Sequence, residues 1–580
     1  MKTGKLISIA LLSLAVACSK ENVTSNQGGS DANQYMAVDI AMSVGSSTKA
    51  PSDYRDGSEA ESTVNVKNSI FLFYDAYGNF LTSGVISATD GSVDKNGNLI
   101  LSTANSPFVE KESKAVIVLG PTRLRPALVL AVLNYDNCNA LKNLSLADAH
   151  AEMDNREIST EAGKFTMTNS IYVDGNNVVN ATPIAASSVK ETKDEALKSP
   201  VQIYVEREVA KVNMKAKDGL NKTADGKICF ETLNAEYVLN GVKVSARIVV
   251  DGWAANAFNT TSYLVKEVPT SWLVTNPFAN WFDEAAKRTF WAQDPNYSGS
   301  EEYVFGRTPE GEPGTYKDVK YLSWNDATQN NVDSYNYMYE NTTDKASARV
   351  NGGELANVPT ILIAAHVETA KTGAAWERQD IYKFGGLFYT DASLRNYAAE
   401  QILKGKLYWE YTTAEGLKKA SVLPDQVKAK FVANVVDNSG SVKVEVEALT
   451  APAEGAKLMK KEGESASEIE SANWAKTVED ILNGENGFNI AKKELVCFKN
   501  GMCYYQVPIK HNQTAEDVAY GTVRNHIYEL TLSKIAKIGN PVFNPEEKLV
   551  LIPGEEKDYY VSAELKILKW RVITQDVVIE

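Results

Sequence analysis

The sequence predicts a mainly β protein made of β-sandwiches, with few and short helices. Three observations point there. Apolar and polar residues alternate along many short runs, which is the period of a half-buried strand. Turns interrupt those runs often, in a chain with 36 glycines and 27 tyrosines. Helical periodicity is scarce, and no 20–50-residue repeat is visible. At 580 residues one hydrophobic core is too few, so two or three domains are expected. Lys and Arg total 60 against 74 Asp and Glu, a net charge of −14. Nucleic acid is therefore not an expected partner, because phosphate contacts need clustered cations.

The N-terminus reads as a secretory signal over 1–17. Lys2 and Lys5 precede a short apolar core, Leu6 to Ala17, too short for a membrane span. The run Leu14-Ala15-Val16-Ala17-Cys18 resembles a bacterial lipobox. That implies lipidation at Cys18, with palmitate among the acyl chains, and an outer-membrane lipoprotein precursor. Ser19 to Gln34 is a polar tether. Such a chain folds outside the cytosol, where disulfides persist.

Met36 to Val44 alternates cleanly, with Met36, Val38, Ile40, Met42 and Val44 on one face. This is a half-buried strand. Gly45 to Glu61 is an exposed stretch carrying Lys49 and Arg55. Ile70 to Tyr74 is a strand turned by Asp75 to Asn79. Asn96-Gly97 marks a hairpin, and its spacing fails as a calcium loop. Ala115 to Leu119 and Ala127 to Leu133 are strands, and Leu144 to Met153 is a short helix. A long strand, Val201 to Met214, opens a second domain. Further strands follow at Val242 to Val250, Thr360 to Ala365, Lys430 to Val436 and Val442 to Leu449. A helix is expected from Ser465 to Leu482, stopped by Gly484. Cys497 to Pro508 and Ile527 to Ser533 are late strands.

Cys497 and Cys503 flank the turn Lys499-Asn500-Gly501. A left-handed Gly501 would set them opposite each other. A cross-strand disulfide and two free thiols are both compatible with that arrangement. No C-x-x-C pair occurs, so a zinc ribbon or thioredoxin motif is excluded. The four histidines, His150, His366, His511 and His526, are too few and too scattered for a multi-histidine metal site. Neither a nucleophile motif nor a phosphate loop is present. The expectation is no catalytic residue, no metal, no cofactor and no enzyme activity.

The two ends of the chain share one pattern. Tyr559, Val561, Ala563, Leu565 and Ile567 form an apolar face that matches the period of Met36 to Val44, and Val572 to Ile579 follows as a second strand. Cutting between Lys49 and Ala50, or between Arg55 and Asp56, would free the first strand. The vacated groove would template another strand. Burying five apolar side chains there gives a gross gain of roughly 8–15 kcal/mol. Before the cut, the resident strand wins, because its tether gives an effective concentration in roughly the mM range.

Several stretches carry a family resemblance. They are Val205-Glu206-Arg207-Glu208-Val209-Ala210-Lys211-Val212, the segment from Asp251 through Trp253 to Val265, and Arg288-Thr289-Phe290-Trp291-Ala292. Two more are Tyr339-Glu340-Asn341-Thr342 and Met502 to Ile509 followed by Tyr520 to Tyr528. With Cys18, they span nearly the whole chain, which resembles the type V pilus fimbrillins, specifically the minor-fimbrium shaft subunits. The resemblance implies two transthyretin-like β-sandwich domains, at 50–200 and 201–557. It also implies a lipidated propeptide with the first strand at 18–49 and donor strands at 558–580. Cleavage by a trypsin-like protease would trigger donor-strand exchange. The family cut falls at Lys49-Ala50, where Arg is usual and this sequence has Lys, and Arg55-Asp56 is the alternative. The implied partners are copies of the chain itself, anchor and tip subunits of the fimbrium, and the processing protease. Adhesion and biofilm formation are the implied output, on the cell surface. Two other readings are a monomeric glycan-binding surface lipoprotein and an uncleaved anchor subunit of the same fimbrium.

Overall fold

The computed structural model describes residues 34–43, 65–66, 68–87, 99–100, 102–106, 109–120, 125–156, 158, 165–174, 177–231, 237–239, 242–268, 282–283, 288–289, 292–295, 319–342, 349–350, 354–355, 358–371, 373–434, 440–489, 495–509, 511, 520–549 and 571–579. The protein is mainly β with few, short helices, as its alternating runs predict.

The first body uses β1 (Gln34–Ser43), β2 (Ser69–Tyr74), β3 (Phe80–Ser87), β4 (Ser102–Ser106) and β5 (Val109–Gly120). It continues with β6 (Leu128–Leu133), β7 (Met153–Asp154), β8 (Met167–Asn169), β9 (Val189–Lys190) and β10 (Val201–Arg207). The hydrogen-bonded order is β9-β1-β10-β8-β6-β2-β3-β5-β4, and β1 also pairs with β5. Phe71, Phe73, Ile117, Val129 and Ile203 meet in its buried apolar core. The β2–β3 turn is built by Asp75, whose Oδ1 accepts from the amides of Tyr77 (2.8 Å) and Asn79 (2.9 Å). The expected helix near residue 146 is Leu146–Ala151, capped by Ser145 through the Asp148 amide, the usual role of serine at that position.

The second body is a two-layer sandwich. Its strands are β11 (Val209–Ala216), β12 (Cys229–Glu231), β13 (Val242–Asn256), β14 (Ser262–Tyr263), β15 (Ser334–Tyr339) and β16 (Asn341–Thr342). They are followed by β17 (Thr360–Ala370), β18 (Met502–Pro508), β19 (Gly521–Thr522), β20 (His526–Ile535), β21 (Asn540–Pro541) and β22 (Arg571–Ile579). One layer runs β15-β11-β20-β22 and the other β12-β13-β17-β18-β21. Val212, Ile248, Ile363, Tyr505 and Leu530 pack between them around fully buried Trp253. The Trp253 indole donates to the Asn331 carbonyl (2.9 Å) and to Ser334 Oγ (3.0 Å), as a buried indole must.

Between β17 and β18, neighbours in one sheet, the chain makes a long excursion with its own core. Trp409, Leu458, Val444, Val478 and Leu482 share it, and Trp409 meets Trp474 edge to face with ring centres 4.9 Å apart.

Three sequence expectations are corrected. The helix begins at Trp474 and runs to Asn483, capped by Gly484; Ser465–Ile469 is instead a strand, antiparallel to Lys457–Glu462. Gly463, with φ +64°, turns the chain there, and the following serines and glutamates face solvent. The long strand from Val201 breaks at Glu208 into β10 and β11, which belong to different sheets. The turn after Cys497 does hold a left-handed Gly501, but Asn500 is left-handed as well, and the flanking strands diverge.

Gly252 sits at a bulge between β13 and β17. A Cβ there would lie 2.5 Å from the Ala327 carbonyl oxygen and 2.7 Å from that of Asn330. Gly252→Ala should therefore destabilise the chain by about 1–3 kcal/mol through overpacking. A fall in the urea midpoint at unchanged slope is the expected result.

Candidate assembly site

The apolar alternation of the N-terminal segment produces a strand that is held on both sides. β1 runs antiparallel to β5, with Met36 opposite Ile117, Val38 opposite Ala115 and Ile40 opposite Ser113. It runs parallel to β10, with Val38 beside Val201, Ile40 beside Ile203 and Met42 beside Val205. At its start it also pairs with β9 through Tyr35 and Met36. Met36 has zero exposure and joins the core of Phe71, Phe73 and Ile203. Without β1, the backbone edges of β5 and β10 would lie open and the Met36 position would be empty.

The other predicted assembly residues divide as follows. Cys18, Val44, Lys49, Ala50, Arg55 and Asp56 lie outside the described residues, as do Tyr559, Val561, Ala563, Leu565 and Ile567. The strand expected at 572–579 is present as β22. It lies parallel to β20, from His526 beside Arg571 to Ile535 beside Ile579. Its outer edge pairs with no other strand among the described residues.

Cys497 and Cys503 are free thiols. Cys497 stands opposite Tyr382, whereas Cys503 lies on β18 opposite Ala365 and Pro541. They serve different cores. Burial pushes both thiols up to about 12, so both are un-ionised at neutral pH and poor nucleophiles. Among the described residues no three His, Cys, Asp or Glu side chains are grouped to hold a metal. Nor is any helix there long and apolar enough to cross a membrane.

A second arrangement was not read from the sequence as a site. β10 leads through Glu208 directly into β11, so one strand joins the two bodies. A strap from the second body crosses back here. β14 pairs with β7, and Leu264, Val265 and Ala292 pack against Leu72 and Leu130 of the first body. Charges are buried at the crossing. Lys266 lies 2.8 Å from Glu206, both with zero exposure. The Arg524 guanidinium reaches Glu340 (2.5 Å) and donates to the Tyr263 carbonyl (2.8 Å). Arg207 donates to Asn525 Oδ1 (2.9 Å), and the Asn525 amide to the Val209 carbonyl (2.8 Å). Asn259 donates to the Glu340 carbonyl (2.9 Å). The signal was available in the charged Glu206-Arg207-Glu208 inside an otherwise apolar strand, since buried charges come paired.

Residues 496–576 match the family model described as Major fimbrial subunit protein type IV, Fimbrillin, C-terminal. That span runs from the return of the chain out of the excursion through β18, β20 and most of β22. No curated protein matches the chain. Among solved structures, it is similar to one described as a cell adhesion protein from Parabacteroides distasonis ATCC 8503. The identity is 12%, covering 59% of this chain and 78% of that one, with a TM-score of 0.28. It is also similar to a fimbrial assembly protein from the same organism, at 10% identity, covering 75% of this chain and 99% of that one, with a TM-score of 0.26.

Met36→Ala should cost about 2–5 kcal/mol, the range for deleting a buried methionine side chain, measured by chemical denaturation. Thermal unfolding should be the same with and without reductant. Cys497 and Cys503 should react with a thiol reagent only once the chain unfolds; protection of either thiol in the unfolded, unreduced chain would mean a disulfide.

Proposed function

We propose that this chain, whose residues 496–576 match the C-terminal fimbrillin family model, is a shaft subunit of a cell-surface fimbrium, polymerised by strand exchange. The observation that carries the reading is the seat of β1, an N-terminal strand paired with β5 on one side and β10 on the other. Such a strand can be exchanged only when its covalent tether is cut. The tether runs through Lys49-Ala50 and Arg55-Asp56, either of which suits a trypsin-like protease. Once cut, β1 loses the advantage of intramolecular concentration. The open edges of β5 and β10 then accept a strand of the same binary pattern by β-augmentation. Tyr559, Val561, Ala563, Leu565 and Ile567 of a second copy supply that pattern.

In this reading the precursor is held at the outer membrane by lipid on Cys18, and cleavage releases the body into the growing fimbrium. Copies of the chain are its main partners, with anchor and tip subunits at the ends. Adhesion and biofilm formation follow from the filament.

Brief trypsin treatment of the purified full chain is expected to yield a ladder of oligomers on a gel. A chain ending at residue 557 should be cleaved at the same rate and give no ladder. A monomeric product from the full chain, with the N-terminal segment still bound, would overturn the proposal.

A further inference from the structure

We propose that Glu208 and Asp154 share one proton at the crossing between the two bodies, and that this proton controls how firmly the crossing stays closed. The geometry is unusual for two acids. Glu208 is 2% exposed and Asp154 also 2%. Glu208 lies at the break between β10 and β11, its backbone fixed by donation from its amide to the Thr166 carbonyl (3.0 Å). Its Oε1 is buried with no hydrogen-bond partner. Asp154, on β7, is already committed to Arg156, whose Nε and Nη2 lie 2.8 and 2.5 Å from its two oxygens. The same guanidinium also lies 3.8 Å from the exposed carboxylate of Asp136, and the Glu208 carboxyl meets the Asp154 side chain.

The remaining charged and titratable neighbours do not change the count. From the loop before β20, Arg524 is engaged by Glu340. Along β10, Glu206 is engaged by Lys266. Tyr339 donates its hydroxyl to the Arg156 carbonyl (2.8 Å), and Tyr135 lies under the Arg156 guanidinium at 4.5 Å. Burial first, then the Asp154 charge, raise the Glu208 carboxyl well above its usual range, with Arg524 and, more weakly, Arg156 opposing. Two carboxyls in one dry site cannot both ionise cheaply. A neutral Glu208 donates its proton toward Asp154, and the pair then carries a single negative charge that Arg156 balances.

The sign follows from linkage. The folded chain holds a proton that the unfolded chain releases near the ordinary glutamate value. Stability from this group is therefore complete below that value and is lost as pH rises through the folded one. The lost stability belongs to the crossing, because Glu208 is the residue between β10 and β11 and Asp154 is the strand partner of the β14 strap. The device acts within a single chain, before any assembly.

The test compares the full chain with Glu208→Gln from pH 5 to pH 9. Unfolding is followed by urea, and the Tyr263–Val265 amides by hydrogen exchange. The wild type should lose folded-to-unfolded ratio relative to the variant by up to about tenfold per pH unit, with exchange at those amides rising in step. Equal pH slopes in the two chains would overturn the proposal. If Glu208→Gln does not fold, the infrared carbonyl band of an un-ionised side-chain carboxyl decides. In the wild type at pH 7 it should be present and should vanish on alkaline titration. In Asp154→Asn it should vanish at lower pH. Absence of the band, or identical titration in the two chains, would overturn the proposal.

Discussion

The passage of one strand between two bodies is the constraint on which the structure depends. β10 and β11 are consecutive, yet each pairs with its own body: β10 with β1 and β8, β11 with β15 and β20. The backbone at Glu208 therefore cannot join either ladder in full. Its amide is satisfied locally by the Thr166 carbonyl, and the carbonyl of the next residue, Val209, accepts from the Asn525 amide. Asn525 achieves this with a left-handed backbone, φ 57°, a conformation asparagine tolerates better than most residues. The strap through β14 then closes the crossing with apolar side chains.

This crossing also touches the seat of β1. Met42 of β1 stands beside Val205 of β10, and Glu206, the next residue, holds Lys266 of the strap. The strand that would line the vacated groove is thus pinned one residue further on by a fully buried ion pair. Removing one partner of such a pair costs about 3–5 kcal/mol, because the other charge is left unpaired in a dry site. In the proposed exchange, the pinned end would give an incoming strand a fixed edge to pair with. In physical terms the groove is formed by the first body but held in register from the second.

Much of the β-structure was legible in the sequence because burial is one-sided. Met36 to Val44 and Val442 to Leu449 alternate, and period 2 is a strong signal wherever one face meets a core; Ile70 to Tyr74 reads instead as a short apolar run, and both its faces are buried. The reading failed where structure depends on a partner distant in sequence. Val201 to Met214 looks continuous because both halves alternate; its break is set by two different sheets. The segment at 465–469 looked helical because of the amphipathic helix that follows it. Cys497 and Cys503 looked like a hairpin pair because local spacing cannot reveal that their strands serve different cores. The excursion between β17 and β18 escaped notice as a body for the same reason: its core joins Trp409 to Trp474, far apart in sequence.

Several of the stretches that carried the family resemblance have a common location. Val205 to Val212, the end of the Asp251–Val265 segment, Tyr339 to Thr342 and Tyr520 to Tyr528 converge on the crossing. They meet as Glu206 with Lys266, Arg524 with Glu340 and the Tyr263 carbonyl, and Arg207 with Asn525. A well-packed apolar joint of the same volume is often as stable as a buried ion pair or more so. Stability alone therefore does not account for six charged or amide side chains converging on one crossing. Register does: a sliding strand would carry Glu206 away from Lys266 and Arg207 away from Asn525, leaving charges unpaired in a dry interior. Apolar side chains tolerate a slip of two residues, since the period is preserved; paired charges do not. The recognisable motif of this chain is thus the set of residues that fixes where one body ends and the next begins.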